Sequence, residues 1–103
     1  MSKFYIRWHL NPMFIPTNPD ERGRLWMSLL ERVKIELSSG MLKDWGICSD
    51  SSAGYALSES DEAMLHTAIQ KYIPYVSFDI KPILSVDQSI ESIKRSATVA
   101  KSR

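Results

Sequence analysis

A chain of 103 residues with 44% hydrophobic content has the size of one domain and enough apolar material for a modest core, so a second domain is excluded. A formal net charge of +1 points to no global affinity for nucleic acid, an acidic membrane or an acidic substrate, and recognition must be local. The single cysteine, Cys48, cannot form an internal disulfide or a multi-cysteine zinc site, so a reducing compartment is expected, with cytoplasm the default. No apolar run approaches a bilayer span and the first residues lack a cleavable leader pattern, so a soluble, unprocessed protein is expected, without a membrane partner.

Residues 3–10, KFYIRWHL, alternate strictly. Phe4, Ile6, Trp8 and Leu10 share one face of the predicted strand, and Lys3, Tyr5, Arg7 and His9 share the other. Pro12 and Pro16 make 11–17 a loop, in which Met13, Phe14 and Ile15 read as an anchoring plug or as the rim of a pocket. Asn18, Pro19, Asp20 and Glu21 then open a helix: a cap, a proline in the first turn, and acids at the positive end of the helix dipole. Leu25, Trp26, Leu29, Leu30, Val33 and Leu37 form its apolar stripe, and Gly40 stops it. Met27 and Ile35 lie off the stripe and suit a second contact.

Residues 42–49 read as a second strand, 50–54 as a hairpin turn and 55–59 as the returning strand. Ser58 or Ser60 is expected to cap a second helix carrying Met64, Leu65, Ala68, Ile69 and Tyr72, ended by Pro74. Val76, Phe78 and Ile80 alternate with Ser77, Asp79 and Lys81 as a fourth strand, and Pro82 assigns that strand to an edge. Ser85 and Gln88 form a capping box before Val86, Ile90, Ile93 and Ala97 at helical spacing. Lys94, Arg95, Lys101 and Arg103 follow without an acid, and we read them as a solvated tail rather than a polyanion contact.

The order strand, helix, strand, strand, helix, strand predicts a ferredoxin-like α+β fold: an antiparallel four-stranded sheet over residues 1–84 with both main helices on one face. Residues 85–103 add a C-terminal helix and basic tail, which packs on its own body or reaches a partner. The first strand is central in that arrangement. Its open face carries Tyr5, Arg7 and His9 beside Ser77, Asp79 and Lys81. If Trp45 and Ile47 face the helices, Asp44, Gly46 and Cys48 join the open face, with Ala56 and Ser58 from the third strand, while Tyr55 shares parity with a buried Leu57.

The segments FYIRWHL with its internal arginine, the long first helix, DWGI before a Gly54–Tyr55 strand, and IPYVSFDIKPIL give the chain a family resemblance over roughly residues 3–84. It resembles the dimeric α+β barrels, in particular small stand-alone members similar to muconolactone isomerase, and also a family of uncharacterised small proteins of that fold. The resemblance implies a homodimer whose two open sheet faces form one barrel around a cavity, without implying a particular enzyme; our leading reading of that cavity is a site for a small anionic or aromatic ligand, with cofactor-independent isomerase-like proton-transfer chemistry. Arg7 matches the arginine of the family's first strand and would grip a carboxylate, with Tyr5, Cys48 and Ser58 as further binding residues. On chemical grounds His9 and Asp79 are the candidates for proton exchange. A non-catalytic binding or structural dimer is the alternative, in which Arg7 and Asp79 pair across the sheet.

Other readings have weaker support. His66 would serve a haem site, but no tryptophan and asparagine can be assigned beside it, and no cofactor is expected. Tyr5 and Gly54-Tyr55-Ala56-Leu57 recapitulate part of an RNA-recognition pattern, yet no base precedes Gly54 and Leu57 replaces an aromatic, so no nucleic acid partner is expected. Cys48 reads as a small buried thiol rather than a nucleophile, and Trp8, Trp26 and Trp45 read as core anchors.

Overall fold

The computed structural model describes residues 2–102, with side chains described through residue 98. Its elements are β1 (Ser2–Leu10), a short 3-10 turn (Pro12–Phe14), α1 (Pro19–Ser39), β2 (Leu42–Ile47), β3 (Ala53–Ser60), α2 (Glu62–Gln70), β4 (Val76–Ile83) and α3 (Val86–Ser102). All strand pairs are antiparallel and the sheet order is β2-β3-β1-β4, the ferredoxin-like α+β arrangement, with β1 inside and β4 at an edge.

Local chemistry accounts for the helix ends. The Asn18 side chain accepts from the Asp20 and Glu21 amides at 2.9 and 3.1 Å, and Pro19 fills a first-turn position that needs no amide donor. Gly40 closes α1 at φ 84°, a left-handed conformation that a Cβ would disfavour. Ser85 and Gln88 cap α3 reciprocally, each backbone amide donating to the other's side chain. The cap of α2 is Asp61, which accepts from the Met64 amide at 2.8 Å, and not Ser58 or Ser60. Those serines remain in β3, which runs through Ser60. At its other end α2 stops at Gln70, before the expected proline, and turns carry the chain to Tyr75.

The core is formed by Phe4, Ile6 and Trp8 of β1 with Val33, Leu42, Ala56, Leu65, Tyr72 and Val76, and Leu10 packs against it. The parity of β3 is the reverse of the sequence expectation. Phe4 pairs with Ser58 and Ile6 with Ala56, so these small residues lie under the helices, while Tyr55 and Leu57 take the open face. Steric fit explains the reversal: the Trp8 ring occupies the space where a Gly54 side chain would project, and the Trp45 ring stacks on Trp8 at 5.5 Å. Neighbouring indoles leave room for only small side chains on that face of β3. The buried arc of α1 is also rotated from the predicted stripe, since Val33 and Glu36 are buried and Leu30 and Leu37 are exposed.

One further expectation fails, and another keeps only its second alternative. Met13 is 88% exposed and Phe14 is exposed, so the loop after β1 is not a plug. The C-terminal helix does not pack on its own body: α3 makes no extensive contact with another element, and the molecule extends 64 Å along one axis against 26 and 24 Å across. Its radius of gyration, 17.7 Å, exceeds the roughly 13 Å of a compact chain of this length. Lys94 and Arg95 lie within α3, not in a frayed tail, and Arg95 pairs with Glu91 at 3.4 Å. The side chain of Lys101 and all of Arg103 lie outside the described residues.

Candidate functional site

Strand register builds the open face in rows across the sheet. The central row is Gly46, Tyr55, Arg7 and Asp79; the next toward the start of β1 is Asp44, Leu57, Tyr5 and Lys81. On the other side His9 lies between Ala53 and Ser77. The Cys48 amide donates to the Ala53 carbonyl at 2.8 Å, which extends the β2–β3 pairing one step and brings Cys48 to the row of His9. The thiol is exposed, contrary to the buried reading.

Four of the six predicted site residues therefore share neighbouring rows of one face: Tyr5, Arg7, His9 and Asp79. Cys48 stands at the margin of that face. Ser58 does not belong to it. Only 2% exposed, it lies on the helix side with its hydroxyl 3.4 Å from that of Ser60, because β3 presents its even residues to the core. Its assignment to the open face is corrected accordingly.

Arg7 and Asp79 are direct cross-strand partners, but among the described residues no ion pair joins them and Arg7 makes no side-chain hydrogen bond. The guanidinium is thus exposed and uncommitted at the centre of the sheet. Tyr55 is committed. Its ring occupies the space above Gly46 and its hydroxyl donates to Asp44 at 2.7 Å, an acceptor that, with some burial, raises the hydroxyl's pKa. A tyrosine held on a carboxylate is a poor platform for a base with its phosphate, although its place on the open face differs from the expected one.

The opposite face holds an arrangement that the sequence reading missed. Between the sheet and the two covering helices lies a cavity of about 190 Å³, walled by apolar side chains that include Trp8, Trp45, Leu29 and Phe78. Glu36 and Tyr72 are buried in its lining, and the Tyr72 hydroxyl donates to a Glu36 carboxylate oxygen. Burial first, and then this hydrogen bond and the charge of Glu36, push the Tyr72 hydroxyl far above its ordinary value, so it stays a donor. The signal available in the sequence was the spacing of Leu29, Val33 and Glu36, which puts the acid on the buried arc.

His66 is exposed on α2 with its Nε2 3.4 Å from the Gln70 amide nitrogen, and among the described residues no cluster of three or more potential ligands is placed to hold a metal ion. No helix among the described residues is long and apolar enough to cross a membrane. Fold and site define an α+β protein with one sheet face under helices and the other, polar and centred on an arginine, left open. No known protein family matches this chain, and no curated protein matches it either.

Proposed function

We propose that two copies of the chain bring their open sheet faces together, as the resemblance to the dimeric α+β barrels implies, and that they enclose a site for a small carboxylate-bearing ligand. The observation that carries the reading is Arg7, an uncommitted guanidinium at the centre of a polar face with Tyr5, His9 and Asp79 around it. A guanidinium grips a carboxylate through two parallel hydrogen bonds, and enclosure by a second sheet strengthens that contact by excluding water. One of His9 and Asp79 would take a proton from the ligand and the other return one at a different atom, an isomerisation that leaves the composition unchanged. Unpartnered apolar residues of α3, among them Val86, Ile90 and Ile93, support a contact beyond the chain's own body.

The test uses benzoate as a simple aromatic carboxylate. Calorimetric titration is expected to show saturable binding by the wild type and at least a tenfold loss in Arg7→Ala, with the sedimentation coefficient unchanged. Equal affinity in the two proteins would remove Arg7 from the site and the reading with it.

A further inference from the structure

The cavity under the helices is independent of the open face, and the two lie on opposite sides of the sheet. Its volume, about 190 Å³, exceeds the ~150 Å³ of an apolar protein cavity that stays dry and takes up benzene. Protein interiors seldom leave a space of this size unfilled, and its lining is mostly apolar, with Glu36, Tyr72 and Ser51 as its polar members. The space also has an entrance. Leu30 and Ile47 belong to the lining and remain 38% and 49% exposed, so a small molecule can enter between α1 and β2 without opening the fold.

One polar group gives the cavity chemical direction. Glu36 is only 9% exposed and one of its oxygens accepts from Tyr72. Among the described residues the other oxygen takes no hydrogen bond, yet no fully enclosed side-chain polar atom is left unsatisfied. That oxygen therefore keeps some accessible surface, and Glu36 belongs to the cavity lining. A carboxylate oxygen with only slight access to water gains from a nearby donor, and a donor on a flat hydrocarbon frame would reach it while filling the space beside the stacked Trp8 and Trp45 rings.

We propose that the cavity between the sheet and α1/α2 is a binding site for a small neutral aromatic molecule bearing one hydrogen-bond donor, of the indole or phenol class, with Glu36 as the acceptor. The aromatic body is held by the Trp8, Trp45 and Phe78 walls, and the donor sets its orientation. A carboxylate ligand is disfavoured here because Glu36 would repel it, which separates this site chemically from the Arg7 face.

The probes are indole and indene, which share a shape and differ in the N–H donor. Titrated into the full chain, indole is expected to bind saturably and to shift the side-chain N–H resonances of Trp8 and Trp45, with indene roughly tenfold weaker, the factor a hydrogen bond to a charged acceptor supplies. Ala68→Phe places a ring in the cavity and is expected to abolish indole binding while the protein stays folded by circular dichroism. No saturable binding of indole, equal affinity for indole and indene, or undiminished binding by folded Ala68→Phe would each overturn the proposal. Should Ala68→Phe fail to fold, the wild-type spectrum decides: shifts confined to residues away from Trp8 and Trp45 overturn it, and shifts at both support it. A dimer that dissociates on adding indole would mean that a second copy occupies the space, and would also overturn it.

Discussion

At the scale of the residue, the Glu36–Tyr72 pair places an acid and its hydroxyl donor in the core, and it is open to a direct test. An acid on the buried arc of α1 is tolerated because a hydroxyl from the segment after α2 donates to it. Tyr72→Phe keeps the ring and its edge-on contact with Phe78 at 6.0 Å but leaves the buried carboxylate without that donor, which should cost about 1–3 kcal/mol at neutral pH. The pair also imposes a pH dependence. In the unfolded chain a tyrosine loses its proton near pH 10.0, whereas folded Tyr72 keeps its proton well beyond that. The folded state then binds more protons than the unfolded one, so this stability is complete below pH 10 and declines as pH rises above it, by at most about 1.4 kcal/mol per pH unit. Urea titrations of wild type and Tyr72→Phe should therefore converge above pH 10. A gap that stays constant from pH 8 to pH 11 would show that Tyr72 is not held protonated by the fold.

At the scale of the element, the signals that proved readable were those in which a residue's own backbone or nearest neighbours set the structure. Asn18 with Pro19, Gly40 at its left-handed position, and the Ser85–Gln88 box each satisfy helix-end groups within one turn, and the alternation of β1 exposes its two faces in its own letters. Asn18→Ala removes acceptors for two amides and should lower stability by about 1 kcal/mol, read as a lower urea midpoint at unchanged slope. An unchanged midpoint would mean that solvent replaces the cap without loss. What was not readable depended on neighbours distant in sequence. Tyr55 and Leu57 look like the core face of β3, and only the bulk of Trp8 and Trp45 from two other strands shows why Gly54 and Ala56 occupy it instead, with Ser58 following by alternation. Ser58 was misplaced as a site residue for the same reason. Glu36 was passed over because its hydroxyl partner lies 36 residues away, whereas Tyr5, Arg7, His9 and Asp79 needed only alternation and strand order.

At the scale of the whole molecule, the shape bears on association. Four strands spaced about 4.8 Å apart and some eight residues long give an open sheet face with a footprint of roughly 500 Å². The accessible area that side chains present exceeds this planar footprint, and a standard stable interface buries roughly 800 Å² of accessible surface per partner. Further apolar area lies on α3, which makes no extensive contact with the body and leaves Val86, Ile90 and Ile93 exposed for a contact with another chain. The expected behaviour in sedimentation equilibrium is a species of twice the 11.8 kDa chain mass at micromolar concentration. Deleting residues 86–103 should shift that equilibrium toward monomer while the β-sheet signal in circular dichroism persists, because α3 contributes little to the packing of its own body. A wild-type chain that sediments as a monomer at micromolar concentration would leave the Arg7 face open to solvent and eliminate the enclosed site. A truncated chain that dimerises as tightly as the full chain would assign the association to the sheet faces alone, and the projecting helix to some other contact.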